Sequence, residues 1–105
     1  MSERLLLVVS LWIHPGQEAA FEAFERDASR IMARHGGRID SAVRLAPESG
    51  VAAESLPFEV HIVSFPDQDS LDSYRADPET AGLAARRAGR IVKTEVRTGR
   101  LAGPY

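Results

Sequence analysis

The chain has 105 residues, enough for one domain with a modest core, and its 44% hydrophobic and 27% charged residues are typical of an ordinary globular protein. Its formal net charge of −2 gives no general attraction to nucleic acid or to an anionic membrane, and we expect neither as a partner. Because cysteine is absent, disulfides, thiol nucleophiles and thiolate metal sites are excluded, and we expect a cytoplasmic protein.

The first predicted element is a β-strand that is apolar on both faces. Residues 5–13 do not alternate between apolar and polar side chains, so a sheet that contains them must be covered on both sides. The run is too short to cross a bilayer, and it lacks the flanks of a signal peptide. We therefore expect helices on one face of this strand and a partner on the other.

A helix, a strand and a long loop are predicted next. Apolar residues at helical spacing predict a helix from Gln17 to about His35, which Gly36-Gly37 ends. Residues 38–45 alternate as a half-buried strand does, and this alternation puts Ile39 and Val43 on one face. The polar segment 47–56 is predicted to be the exposed loop of a hairpin.

The second half of the chain repeats the order of strand, helix and strand. Residues 58–65 form the predicted third strand, and Asp67 is placed to cap a helix after it. Asp77-Pro78 begins a second helical segment, which Gly89 is expected to end. Residues 90–101 alternate again and are predicted to be the fourth strand.

This order of elements predicts an α+β fold, the ferredoxin-like βαββαβ sandwich. Right-handed crossovers place the first and third strands at the centre of an antiparallel four-stranded sheet, in the order 4-1-3-2, with the helices on one face. We expect a single domain over residues 1–105, with its core in about 4–101, the loop at 47–56 and a short C-terminal tail at 102–105. Two such domains would pair through their open sheet faces as a homodimer.

Alternation along the strands assigns each side chain to a face. With residues 5, 7, 9, 11 and 13 facing the helices, Ser10 and Trp12 face the open side. We assign Glu59 and His61 to the same open side, together with alternate residues of the second and fourth strands. Antiparallel pairing then gathers six side chains at one end of this face: Trp12, His14, Arg44, Glu59, His61 and Lys93.

Several short motifs resemble those of the dimeric α+β barrel superfamily. They match one of its small families, of unknown function, over residues 5–97, and they are Gly36-Gly37-Arg38, Phe65-Pro66-Asp67, Leu71-Asp72-Ser73-Tyr74 and Asp77-Pro78-Glu79. The chain departs from that family where it commonly has tyrosine, since Phe21 or Phe24 stands at one such position and Thr80 and Ala81 stand at another. Sibling families include cofactor-independent monooxygenases, muconolactone isomerases and haem-degrading enzymes, so the resemblance implies the fold more strongly than a chemistry.

Two functional hypotheses remain open from the sequence. In the first, the cleft binds a small aromatic or polyketide-like molecule, and the protein oxidises or isomerises it without a cofactor. His61 would be the acid or base, Glu59 its orienting partner and Arg44 the oxyanion partner. The predicted substrate-binding residues are Trp12, as a stacking wall, with His14, Ser10 and Lys93. In the second hypothesis, the protein is a non-catalytic binding or interaction module whose polar cleft residues only set the dimer register.

A metal site is a further alternative. Two histidines with Glu59 would satisfy a two-histidine, one-carboxylate site in principle. No ligand spacing in the sequence supports such a site, so we expect neither a metal nor a cofactor.

Overall fold

Strands and helices follow each other in the expected order. The computed structural model describes residues 3–105, apart from the side chain of Ala53. Its elements are β1 (Leu5–Ile13), α1 (Glu18–Arg34), β2 (Arg38–Arg44), a short 3-10 helix (Ala53–Ser55), β3 (Glu59–Phe65), α2 (Gln68–Ala76), α3 (Pro78–Gly82), α4 (Ala84–Arg90) and β4 (Ile91–Gly99).

The helix starts follow the predicted capping residues. The carboxylate of Asp67 accepts a hydrogen bond from the backbone N–H of Ser70 at 2.8 Å and so caps α2. Asp77 caps α3 in the same way, with Pro78 in the first turn. The predicted end at Gly89 is wrong, because Gly89 lies within α4 in ordinary helical backbone with open space around it.

The four strands form one antiparallel sheet in the order β2-β3-β1-β4, which confirms the predicted topology. The helices cover one face, where two clusters of buried side chains make the core. One cluster is Leu7, Met32, Val63, Phe65 and Leu71, and the other is Leu11, Phe21, Phe24, Ala28 and Ile91. No helix within residues 3–105 is long and apolar enough to cross a membrane.

The face predicted for β3 is wrong. In the register of the sheet, His61 lies opposite Val9 and Glu59 opposite Leu11, so both polar residues face the helices. They share this face with Val63 and Phe65, because alternate residues of a strand point the same way and these two large apolar side chains fill the core. The open side of β3 carries Val60 and Ile62 instead.

A β-bulge in β2 changes the faces of that strand as well. Ile39 lies opposite Val63 and Ser41 lies opposite Ile62, so Asp40 is an extra residue between them. Ile39 and Val43 therefore lie on opposite faces, against the prediction, and Arg44 faces the helices. A second bulge occurs in β4, where the register passes from Lys93 to Ile91 and skips Val92.

The two glycines that end α1 lie against the end of β3. Gly36 has a left-handed φ of +74°, which explains the glycine after the helix. A Cβ on Gly37 would lie 2.5 Å from Cε1 of Phe65, and one on Gly36 would lie 2.6 Å from Cγ of Pro66. Two of the sequence motifs thus contact each other and fix the first helix on the sheet.

The other face of the sheet is not covered by helices, and it is apolar over much of β1, β2 and β3. Its apolar residues lie on β1, β2 and β3, and β4 adds charged residues to the same face. The apolar residues are Leu6, Val8, Trp12, Val43, Val60 and Ile62, and the charged ones are Lys93, Glu95 and Arg97. Val8 and Val43 keep 36% and 55% of their surface exposed. The molecule measures only 17 Å along its shortest axis, as expected for one sheet covered on one side.

Candidate functional site

A buried histidine and glutamate form the centre of the candidate site. His61 and Glu59 lie two residues apart on β3, so alternation puts both side chains on the helix-covered face. Nε2 of His61 lies 2.5 Å from Oε2 of Glu59, and the two side chains are 4% and 10% exposed. A buried imidazole that is held by a carboxylate has a fixed orientation, which leaves its Nδ1 as the atom free for other contacts.

Arg44 holds Glu59 from the neighbouring strand. It lies opposite Glu59 in the β2–β3 register, and its Nη2 is 2.9 Å from Oε1 of Glu59 and 3.1 Å from Oε1 of Glu22 on α1. These hydrogen bonds raise the pKa of Arg44 above its usual range, and the bond to Glu59 has the larger effect. Arg44 therefore orients Glu59, and both oxygens of Glu59 are engaged, one by Arg44 and the other by His61.

A second carboxyl group faces the free side of the imidazole. Glu25 projects from α1, and its Oε2 lies 4.0 Å from Nδ1 of His61. Burial raises the pKa of Glu25 above its ordinary value of 4.5, although the charges of His61 and Arg87 act in the opposite direction. His61 thus lies between two carboxyl groups in different environments.

Glu25 and His61 border a cavity of about 200 Å³ between the sheet and the helices. Its polar wall includes Glu25, His61, Tyr74 and Arg87, and its other walls are mainly apolar side chains from β1, α1 and β3. Burial raises the pKa of Tyr74 above its usual 10.0, so its phenol group remains protonated at neutral pH. The cavity offers proton donors and acceptors within partly open, mainly apolar walls, as small-molecule sites do.

The structure separates the other predicted site residues from this cavity. Trp12 and Lys93 lie on the open face, with Nζ of Lys93 4.7 Å from the centre of the indole ring. They line a separate open groove of about 490 Å³, formed with the loop 45–57. Ser10 lies opposite Glu95 on the same face, and His14 is exposed in the turn after β1. The predicted set therefore divides into an inner group, in which His61 and Glu59 are buried and the more exposed Arg44 holds Glu59, and an outer group.

Among residues 3–105, no group of three or more histidine, cysteine, aspartate or glutamate side chains is arranged to hold a metal ion. The buried site is instead built from hydrogen bonds and ion pairs between Arg44, Glu59 and His61.

Sequence reasoning missed Glu25, Tyr74 and Arg87. A signal for Glu25 was present, because it follows Phe21 by four residues and precedes Ala28 by three, and so lies within the apolar stripe of α1. Tyr74 and Arg87 lie on short helices whose position over the sheet could not be read from periodicity.

The sequence matches no family model and no curated protein. Solved structures do resemble it. A protein of unknown function from Rhodopseudomonas palustris superposes with a TM-score of 0.79 at 13% identity, over 99% of this chain and 86% of that one.

Two further solved structures that resemble this chain carry the name "putative antibiotic biosynthesis monooxygenase". The one from Bordetella bronchiseptica has a TM-score of 0.72 at 16% identity, over 96% of this chain and 99% of that one. The one from Bacteroides thetaiotaomicron has a TM-score of 0.70 at 15% identity, over 97% and 92% of the two chains. The chain has the ferredoxin-like fold. At these identities the likeness establishes the fold, in agreement with the resemblance noted from the motifs, and not an activity.

Proposed function

We propose that this protein is an enzyme that binds a small organic molecule in the cavity between sheet and helices and moves a proton of that molecule through His61. The observation that supports this most is the placement of the His61 imidazole. One of its nitrogen atoms is fixed by Glu59, and the ring borders an apolar cavity that also holds a carboxyl, a phenol and a guanidinium group.

The size and lining of the cavity support a compact aromatic or polyketide-like substrate. Sites for drug-sized ligands enclose roughly 300–1,000 Å³. A volume of about 200 Å³ suits a molecule of one or two rings with an acidic hydroxyl group or an enolisable carbonyl group.

Removal of a proton is the step that a cofactor-independent monooxygenase and an isomerase share. Both reactions begin by making the substrate electron-rich at one carbon atom, and a fixed acid–base group such as His61 in an apolar cavity can promote this. The names of the two similar structures support the monooxygenase version. In either version Glu59 orients His61, and Arg44 acts through Glu59 rather than as the oxyanion partner expected from the sequence.

We include in the proposal that the protein is a homodimer, paired through its open sheet face, and that it is cytoplasmic. The apolar centre of that face supports the dimer, because the strands would otherwise leave several valine and leucine side chains in water. The complete lack of cysteine supports a reducing compartment.

The proposal is tested with His61→Gln, which keeps a polar side chain but cannot act as a general acid or base. The probes are 2-tetralone and 1-naphthol, and the measurements are binding by NMR, oxygen uptake and hydrogen exchange at carbon. We expect the wild type to bind a probe and turn it over, and the variant to keep binding within about threefold while the rate falls about 10²–10⁴-fold.

A matched control is His35→Ala. His35 also bonds to a carboxylate, with Nε2 2.8 Å from Oδ2 of Asp77, but it lies outside the cavity. We expect this variant to be less stable and as active as the wild type. Equal rates for His61→Gln and the wild type would refute the role of His61. A wild-type dimer that binds neither probe would instead favour the non-catalytic interaction module.

A further inference from the structure

Glu25 is an acidic residue in a place that suits an apolar one. It lies on the stripe of α1 that also carries the buried residues Phe21, Phe24 and Ala28. Its side chain is 16% exposed, and its carboxyl group is part of the cavity wall. A carboxyl group that is taken out of water in this way destabilises the fold unless it is neutral or meets a charge. Its position therefore favours a chemical role over a structural one.

The other carboxyl group near His61 cannot perform that role. Both oxygens of Glu59 are bound, Oε1 to Arg44 and Oε2 to His61. Its contact is with Nε2, whereas Nδ1 is the nitrogen that faces Glu25. The pair that can meet a substrate is therefore Glu25 and Nδ1 of His61.

The distance within this pair matches a carbonyl compound. Oε2 of Glu25 and Nδ1 of His61 are 4.0 Å apart, too far for a direct hydrogen bond. In a ketone, the oxygen and the carbon next to the carbonyl group are about 2.4 Å apart, as standard bond lengths require. The α-carbon can therefore lie about 3 Å from Oε2 of Glu25 while the carbonyl oxygen lies about 3 Å from Nδ1 of His61.

We propose that Glu25 is a second catalytic residue of this cavity and that, with His61, it interconverts the keto and enol forms of a compact ketone. This inference rests on the proposed function and adds to it the reacting partner of His61 and the class of substrate.

The step needs no oxidant and no cofactor. The Glu25 carboxylate removes a proton from the carbon next to the carbonyl group, and the C–H electron pair forms the C=C bond of the enol. The carbonyl π pair moves to oxygen, which takes a proton from Nδ1 of His61. After the enol leaves, Glu25 gives its proton to water and Nδ1 takes one from water, which restores the starting state of the pair.

The surroundings of the pair suit this exchange. Arg87 and Tyr74 complete the polar wall, from α4 and α2, while Arg44 and Glu59 form an ion pair on the far side of the imidazole. His61 gives up one proton as Glu25 gains another, so the enolisation step does not change the net charge of the pair in the apolar cavity.

The test is the exchange of the α-hydrogens of 2-tetralone for deuterium in D2O, followed by proton NMR. We expect the wild type to accelerate exchange and Glu25→Gln to lower the rate about 10²-fold, with binding of 2-tetralone changed less than threefold. Glu25→Asp keeps a carboxyl group, but its side chain is one methylene shorter and holds that group farther from the substrate, so an intermediate rate is expected. Glu18→Gln, the same substitution at an exposed position of α1, is the control and should exchange at the wild-type rate.

Each failure has a different meaning. Wild-type exchange in Glu25→Gln, with His61→Gln still inactive, would overturn the role of Glu25 and leave the proposed function intact. Binding of 2-tetralone without exchange by the wild type would overturn the keto–enol step alone. If the wild type binds neither 2-tetralone nor 1-naphthol, the proposed function and this inference fail together.

Discussion

Gly37 has no room for a side chain. A Cβ there would lie 2.5 Å from Cε1 of Phe65 and 3.0 Å from Cγ of Met32, two buried side chains of the core. We expect Gly37→Ala to lower the free energy of unfolding by about 1–3 kcal/mol, because the Phe65 ring must move within a filled core. Urea unfolding followed by circular dichroism measures this change.

Gly89 provides the comparison for this substitution. It lies within α4, and nothing is within 4 Å of its missing Cβ. Gly89→Ala should therefore raise the free energy of unfolding by about 0.5–1 kcal/mol. Equal effects at the two positions would show that the contact between the end of α1 and Phe65 is not tight.

Glu25 should make the stability of the protein depend on pH in an unusual direction. A carboxyl group whose pKa is raised on folding binds its proton more tightly in the folded state. The free energy of unfolding therefore falls as pH rises from the ordinary value of 4.5 through the raised pKa, and it stays lower above that range. Glu25→Gln has no such loss, so we expect its unfolding temperature to exceed that of the wild type at pH 8.

The same comparison at pH 4 is the control for this prediction. At pH 4 the wild-type carboxyl group is mostly protonated in both states, since its unfolded pKa is 4.5, so most of the advantage of the glutamine variant should disappear. A variant that is less stable than the wild type at pH 8 would mean that the Glu25 carboxylate is stabilised by His61 and Arg87 more than burial destabilises it.

At the scale of elements, the sequence predicted which segments form helices and strands because the signals are local. The capping residue Asp67 and the apolar spacing of α1 act within a few residues of the chain. The face of β3 is different, because both of its sides carry apolar residues: Val63 and Phe65 on one, Val60 and Ile62 on the other. Packing against the helices selects the first pair, and His61 follows.

The bulge in β2 could not be read from the sequence either. The alternation of residues 38–45 breaks at Asp40-Ser41 and again at Ala42-Val43, but the break does not tell which residue is unpaired, and the register shows that Asp40 is the extra one. This single insertion turns Arg44 towards the helices, where it meets Glu59. The sequence thus pointed to three of the central residues, His61, Glu59 and Arg44, but placed them on the wrong side of the sheet.

At the scale of the whole molecule, the bare sheet face should determine the oligomeric state. We expect native mass spectrometry to show a particle of twice 11.5 kDa. Val43→Asp, on the open face beside Val60, should shift the protein to the monomer, because it places a charge in the apolar centre of the interface. Val43 is 55% exposed, so the fold of one chain should tolerate this change.

Ala23→Asp is the control, since Ala23 is exposed on α1, which covers the opposite face of the sheet. It should leave the dimer intact. A wild-type monomer at high concentration would contradict the dimer, and it would leave the apolar character of the open face without an explanation.

Both bulges of the sheet lie in its outermost strands, Asp40 in β2 and Val92 in β4. A strand at the border of a sheet offers free backbone groups to any passing chain, and an irregular, charged border resists this. Here the two borders also carry Arg38 and Arg44 on one side, and Lys93, Glu95 and Arg97 on the other. The irregular, charged borders thereby discourage growth into fibrils, and the open face is left as the surface that a second molecule would cover in the proposed dimer.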